Sequence, residues 1–267
     1  MDYQLSADQR AIVDAAEQIC ADFPLEYWRN KDKNHEFPHE FFAAVASGGW
    51  LGICMPEDVG GANLGVTEAA LFMRTVAQCG GQAAASAIHM NIFGLEPVVH
   101  FGTESQKKAW LPPFARGENK ACFAVTEPDA GLDTTKLKVV AKKQPDGNYL
   151  ISGKKVWIST AQVADHMLIL ARTTPIEQVK KHSEGLSLFY TKLDRNFVDV
   201  REIDKLGRAS VDTNELFIDD LPVSKDSLIG EEGKGLSYIF RGMNAERVLV
   251  AAEQVGDAPS LVHACGR

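Results

Sequence analysis

The chain has 267 residues, of which 45% are hydrophobic and 24% are charged. This composition is ordinary for a soluble protein that is long enough for a sizeable core and for more than one domain. The formal charge of −8 argues against nucleic acids and anionic membranes as default partners, because both are themselves negatively charged.

The N-terminus and the cysteines indicate the cellular compartment in which the protein is expected. No basic or apolar leader opens the chain and no apolar run approaches the length of a membrane span, so a cytoplasmic protein is expected. The five cysteines are scattered and show no Cys-x-x-Cys spacing, which favours reduced thiols over a disulfide or metal framework. His35 and His39 lie in a polar stretch and are expected at the surface rather than at a metal.

The first part of the chain is predicted to be helical. Ser6-Ala-Asp-Gln9 matches a capping box, and apolar residues at helical spacing follow it. A second helix is predicted to begin at Pro38. Further helices are predicted over residues 67–78, 83–101 and 105–114.

From about Ala121 the pattern changes to short apolar runs separated by turn residues, such as those at Pro145-Asp-Gly147. Such runs favour a compact β-sandwich or barrel. A helical pattern then returns over residues 236–255, where Gly256 and Pro259 are expected to end it. The predicted strands run over residues 139–141, 149–152, 156–159, 167–171, 186–190, 197–203 and 215–218.

These patterns predict an α+β chain in three parts. An N-terminal all-α domain is expected over residues 1–119 and a middle β-sandwich or barrel domain over residues 120–228. Residues 229–267 are expected to be the start of a C-terminal helical domain.

Two segments carry candidate redox chemistry, Phe123-Ala-Val-Thr-Glu-Pro-Asp-Ala-Gly-Leu-Asp-Thr-Thr135 and Lys155-Val-Trp-Ile-Ser-Thr160. A flavin that accepts a hydride gains negative charge, which hydroxyl groups at strand ends can stabilise. Ser159 follows Trp157 by two positions, so both are expected on one face of a strand. Spacing alone favours ordinary strand-end residues at Thr126 and Ser159 over a cofactor site.

Glu246 is a candidate general base. It falls between Met243 and Val250 on the apolar face of the last predicted helix. Burial there would raise the pKa of its carboxyl into a range useful for proton abstraction. The alternative reading, a structural Glu paired with a nearby Arg, stays open on spacing alone.

Taken together, the motifs resemble the acyl-CoA dehydrogenase family over residues 5–256. No single motif is conclusive, but their shared order and spacing make the match strong. The stretches that carry it are Pro56-Glu-Asp-Val-Gly-Gly61, Phe101-Gly-Thr-Glu-Ser-Gln-Lys-Lys108, Val125-Thr-Glu-Pro128 with Gly131, Gly153-Lys-Lys-Val-Trp-Ile-Ser159 and Asp219-Asp-Leu-Pro-Val223.

The resemblance implies an FAD-dependent enzyme that converts an acyl-CoA into a trans-2-enoyl-CoA and passes electrons to an electron-transfer flavoprotein. It also implies a homo-oligomer. An acyl-CoA oxidase, a related flavin monooxygenase, or a non-catalytic remnant acting in assembly are the alternatives. The residues implied to contact FAD are Phe123, Ala124, Val125, Thr126, Gly131, Leu132, Trp157, Ile158 and Ser159.

The resemblance also assigns the substrate side. Ala245-Glu246-Arg247-Val248 matches the Glu-Arg pair of isovaleryl-CoA-type members, which implies Glu246 as the base that removes the α-proton. Asn244, Arg247 and Leu132 are implied near the substrate. The chain departs from the family at Leu132, where Ser is common, and in length, because the family continues with several more helices. Truncation, an alternative product and completion by another copy are all left open.

Overall fold

The computed structural model describes residues 4–265, without the side chains of residues 260, 261 and 263–265. The predicted α+β organisation is confirmed: a helical part, a β part and a long final helix follow one another. The domain bounds given above stay a prediction. The described α-helices are α1 (Ala7–Ala21), α2 (Leu25–Asn34), α3 (His39–Ser47), α4 (Val66–Phe93), α5 (Glu96–Phe101), α6 (Glu104–Ala115) and α7 (Gly235–Cys265). The described strands are β1 (Ala121–Ala124), β2 (Val140–Lys143), β3 (Tyr149–Ser159), β4 (His166–Arg172), β5 (Leu186–Lys192), β6 (Val198–Glu202), β7 (Thr213–Val223) and β8 (Leu228–Ile229).

Local sequence signals set the helical part. The predicted capping box at α1 is present, with the Gln9 N–H donating to Ser6 Oγ and the Ser6 N–H donating to Gln9 Oε1, both at 3.2 Å. The break predicted between the helices over 67–78 and 83–101 is confirmed, because α4 is interrupted at Gly81 (φ 65°, ψ −164°). Glycine allows this break because a side chain disfavours positive φ. The single helix predicted over 83–101 is wrong: α4 ends at Phe93, and the separate short α5 follows.

The strands form one sheet in the order β6-β7-β3-β2-β4-β5-β8, and β1 pairs with β4 in parallel. The sheet folds over so that β3 and β7 enclose a core with β4 and β5, where the rings of Tyr149 and Phe189 lie 4.9 Å apart. The other face of β4 and β5 packs against α5, α6 and α7. This sheet-on-sheet arrangement is what the strand pattern favours.

The two strands predicted over 149–152 and 156–159 are in fact the single strand β3. Lys155 lies between the two predicted segments and is fully buried. Its ammonium donates to the Glu127 carboxylate at 2.9 Å and to the carbonyls of Val125 at 2.9 Å and Leu170 at 2.7 Å. A buried charge with all its protons bonded can sit inside a strand.

The last helix is also longer than predicted. Gly256 and Pro259 do not end α7, which continues to Cys265. α7 crosses α4 at Gly256, where any side chain would overlap the backbone carbonyl of Arg74. The glycine therefore permits a close helix contact instead of breaking the helix. Arg74 of α4 lies against Gly256, whereas His89, later in α4, contacts Glu253, earlier in α7, so the two helices run antiparallel.

The cysteines, the possible metal ligands and the helices of the described part of the chain bear on whether it holds a disulfide, a metal site or a membrane span. Four cysteines are free thiols, and the side chain of Cys265 lies outside the described residues. Within that part, no set of three or more His, Cys, Asp or Glu residues is arranged to hold a metal ion. None of its helices is both long and apolar enough to cross a membrane.

The buried ion pair gives a first prediction. Lys155→Met leaves the Glu127 carboxylate buried without its ammonium partner, so it is expected to lower the free energy of unfolding by about 3–5 kcal/mol. The matched control is the neighbouring Lys154→Met, which breaks a surface pair with Glu215 at 2.8 Å and should cost about 0–1 kcal/mol. Urea denaturation of both variants measures the difference. Equal losses would contradict a structural role for the buried pair.

Candidate active site

A cavity of about 320 Å³ lies between the β part and the helices α4 and α7. Its walls come from the end of β1 and the turn after it, from β3, from the loop between β6 and β7, and from the two helices. The residues that line it are His89, Met90, Phe93, Phe123, Val125, Thr126, Gly131, Thr134, Trp157, Ser159, Arg208, Met243 and Glu246.

The β part supplies a wall with two hydroxyl groups. The carbonyl of Thr126 accepts a hydrogen bond from the Val156 N–H at 3.0 Å, which holds the turn after β1 beside β3. Ser159 lines the same cavity from the end of β3. Neither hydroxyl is hydrogen-bonded to another residue in the described part of the chain. Both can therefore donate to a ligand.

Trp157 has an unusual backbone conformation. Its φ is 62°, which is uncommon for a bulky residue. The register between β3 and β7 shifts between Lys155 and Ile158, so β3 contains a β-bulge at this point. The bulge allows Lys155 to point into the core while Trp157, 61% exposed, lines the cavity beside Ser159.

Four consecutive residues predicted to contact FAD divide between the cavity and the core. Phe123, Val125 and Thr126 line the cavity, and the Phe123 ring lies 6.0 Å from that of Phe93. Ala124 is fully buried in the core between the sheet layers. Ile158 belongs to the same core. Neither of these last two residues lines the cavity, so their predicted contacts with FAD stay predictions.

The two predicted ligand-binding residues in the turn after β1, Gly131 and Leu132, have different positions relative to the cavity. Gly131 lines the cavity, and nothing lies within 4 Å of where its Cβ would be. This open backbone permits the close approach of a ligand. Leu132 is fully exposed and does not line the cavity. The predicted contacts of Leu132 with cofactor and substrate stay predictions.

Glu246 lines the helical wall, half-buried beside Met243. Burial raises the pKa of the Glu246 carboxyl above its ordinary value. The charges of His89 and Arg247 act in the opposite direction, and that of Glu253 adds to the effect of burial. A carboxylate in this setting is a stronger proton acceptor than one in water.

Asn244 and Arg247 lie on a different side of α7. Both are exposed, and neither lines the cavity. The Arg247 guanidinium donates to Asn244 Oδ1 at 2.6 Å, so the two side chains are held together. Their predicted contact with substrate stays a prediction, since within this chain they face away from the cavity.

Two cationic or titratable residues of the cavity were not assigned roles from the sequence. His89 Nδ1 lies 3.4 Å from the buried carboxylate of Glu253. Arg208, in the loop between β6 and β7, donates to Ser86 Oγ at 2.7 Å. The loop carries no motif, so only the tertiary structure brings Arg208 to the cavity. His89 lies eight residues after the break at Gly81, and only the packing of α4 against α7 brings it to the cavity.

Comparison with known proteins identifies this architecture. Residues 6–118 match the N-terminal domain of acyl-CoA dehydrogenases, and residues 122–221 match their middle domain. The acyl-CoA dehydrogenase FadE12 of Mycobacterium bovis is 32% identical over 252 residues, which are 94% of this chain and 63% of that protein. The chain thus spans less than two thirds of the length of this curated relative.

Solved structures agree. The butyryl-CoA dehydrogenase of Megasphaera elsdenii matches with a TM-score of 0.86 and 26% identity, covering 96% of this chain and 67% of that one. The FAD complex of PigA matches with a TM-score of 0.89 and 25% identity, covering 99% and 68%. Together with the domain matches, these similarities show that the chain belongs to the acyl-CoA dehydrogenase family.

Proposed function

We propose that this protein is an FAD-dependent acyl-CoA dehydrogenase in which Glu246 removes the α-proton of an acyl-CoA and a trans-2-enoyl-CoA is formed. The observation that carries the proposal is the pairing of two kinds of group in one cavity. Thr126, Trp157 and Ser159 line it from the β part, and the desolvated carboxylate of Glu246 lines it from α7.

The residues of the β wall fit a flavin. The hydroxyls of Thr126 and Ser159 are available as donors to an electron-rich ring edge, and the exposed Trp157 offers an aromatic surface. Gly131 leaves room for the backbone to approach a phosphate group. PigA, a structural neighbour of this chain, binds FAD. When bound, FAD supplies the acceptor for the hydride that leaves the β-carbon.

The residues of the helical wall perform the proton transfer. Glu246 accepts the α-proton, and Met243 and Phe93 line the same cavity with apolar side chains. His89 and Arg247 act electrostatically to keep Glu246 ionised, against the effect of burial. This balance suits a base, which must be ionised before the reaction and hold a proton after it.

The proposal extends to partners and assembly. An electron-transfer flavoprotein is the proposed electron acceptor, and a homo-oligomer in the cytoplasm is the proposed form of the protein. α7 exposes Val248, Val255 and Val262 at 45%, 59% and 73%. These positions recur every seven residues on one side of the helix, which is typical of a surface that packs against further helices.

Flavin reduction tests the proposed function. The purified protein is expected to take up FAD, and an anaerobic titration with an acyl-CoA should bleach the flavin absorbance. Glu246→Gln should keep FAD and slow bleaching by about 10²–10⁴-fold, because it removes the general base. Glu184→Gln, an exposed loop carboxylate, is the control and should react normally.

Other outcomes of this titration favour other functions. Rapid reoxidation with peroxide on admission of air would favour an oxidase. A colourless protein that takes up no FAD would contradict an enzymatic function for this chain and favour a role in assembly. Normal bleaching of Glu246→Gln would show that another residue is the base.

The raised pKa of Glu246 also predicts a stability effect. The pKa of the Glu246 carboxyl is higher in the folded than in the unfolded chain. Its ionisation therefore destabilises the folded state increasingly as the pH rises from the unfolded pKa to the folded pKa, and by the full amount above the folded pKa. Glu246→Gln cannot ionise, so its thermal midpoint without flavin should exceed that of the unsubstituted chain at pH 7 by a few degrees. The two midpoints should converge near pH 4. A lower midpoint at pH 7 would contradict burial of the Glu246 carboxylate.

A further inference from the structure

We propose that Arg208 binds a carboxylate at the far end of the acyl chain, so that the preferred substrates are CoA thioesters of dicarboxylic acids. This inference rests on the proposed function, because it names the substrate class of the same cavity. It concerns a residue that the redox chemistry itself does not require.

Arg208 is fixed in position by its loop. Its backbone has a left-handed conformation (φ 58°), and its carbonyl accepts hydrogen bonds from Lys205 Nζ at 2.8 Å and from the Val211 N–H at 3.2 Å. One guanidinium nitrogen donates to Ser86 Oγ at 2.7 Å, which ties the side chain to α4. The guanidinium group is therefore preorganised at the cavity wall.

Within the described residues, the Arg208 guanidinium donates to Ser86 and forms no ion pair with a carboxylate. The two acidic residues whose charges act on it are Glu253 and Asp212. Glu253 contacts His89, and Asp212 accepts from the Gln162 N–H at 3.0 Å and from Asn214. Both carboxylates are therefore engaged with other partners.

The guanidinium also has unused donors. Arg carries five N–H groups in a planar fork, and Ser86 occupies one of them. The remaining groups suit a carboxylate, which accepts two parallel hydrogen bonds from one guanidinium. A purely apolar chain end would instead leave a partly buried cation beside methyl groups, which is unfavourable.

Arg208 and the proposed base Glu246 lie at different levels along the pair of helices α4 and α7. On α7, Glu253 follows Glu246 by seven residues, which is about 10 Å along the helix axis. Arg208 lies on the side of Glu253 and Ser86, whereas Glu246 lies beside Met243. A substrate that places its α-carbon at Glu246 can therefore extend along α4 with its far end toward Arg208.

Matched pairs of ligands test the inference. The FAD-loaded protein is titrated calorimetrically with 3-thia analogues of CoA thioesters, which cannot lose a β-hydride. Adipyl is compared with hexanoyl, and glutaryl with valeryl, so each pair differs only in a terminal carboxylate or methyl group. At least one dicarboxylic analogue is expected to bind tenfold to a hundredfold more tightly than its partner, as hydrogen bonds between charged groups permit.

Variants separate recognition from folding. Arg208→Gln should abolish the preference while changing the affinity for the hexanoyl analogue by less than about threefold. Arg208→Lys should keep part of the preference, because the charge remains. Arg116→Gln is the control, since Arg116 is exposed and pairs with Glu118 at 2.6 Å. It should keep the full preference.

Three results would overturn the inference. One is equal binding within both pairs, another is a preference that survives in Arg208→Gln, and the third is a loss of hexanoyl binding equal to the loss of adipyl binding in both Arg208 variants. These failures leave the proposed function intact as long as monocarboxylic acyl-CoAs bleach the flavin. If no thioester binds and none bleaches it, the proposed function fails together with the inference.

Discussion

The buried contact between Lys155 and Glu127 determines where the walls of the cavity lie. The three protons of the ammonium bond to the Glu127 carboxylate, to the carbonyl of Val125 after β1 and to that of Leu170 in β4. The carboxylate also accepts from the backbone N–H groups of Lys138 at 2.6 Å and Val139 at 3.0 Å. Burial lowers the pKa of Lys155 to about 8, and the charge of Glu127 counteracts this effect. The pair thus joins the turn after β1 to β3 and β4, and fixes Thr126 relative to Trp157 and Ser159.

The second wall depends on how closely two helices approach. α4 and α7 run antiparallel, and at Gly256 the backbone of α7 lies against the Arg74 carbonyl. This contact aligns Glu246 and Glu253 with His89 on the facing helix. The break at Gly81 separates the half of α4 that packs with α1 from the half that carries His89, Met90 and Phe93 to the cavity. The cavity thus lies between a wall formed by the β part and a wall formed by the helix pair α4 and α7.

Sequence patterns predicted those features of the fold and the site that depend on residues within a single helix or strand. The capping box at Ser6, the strand pattern of the middle part and the position of Glu246 on an apolar helix face follow from spacing within one element. Features that depend on contacts between elements were missed. The continuity of β3 through Lys155 was missed because its partner Glu127 is 28 residues away. Gly256 was predicted as a helix end because Arg74, which packs against it, is distant in sequence. Arg208 reaches the cavity only through the fold of its loop.

The central claim is that a flavin ring and an acyl thioester meet between the β wall and Glu246. A crystal structure of the protein with FAD and a 3-thia acyl-CoA tests it most directly. The account predicts the ring beside Trp157, with the hydroxyls of Thr126 and Ser159 as donors and the Glu246 carboxylate within about 3–3.5 Å of the α-carbon. A flavin bound elsewhere, or a Glu246 side chain turned away from the thioester, would contradict it.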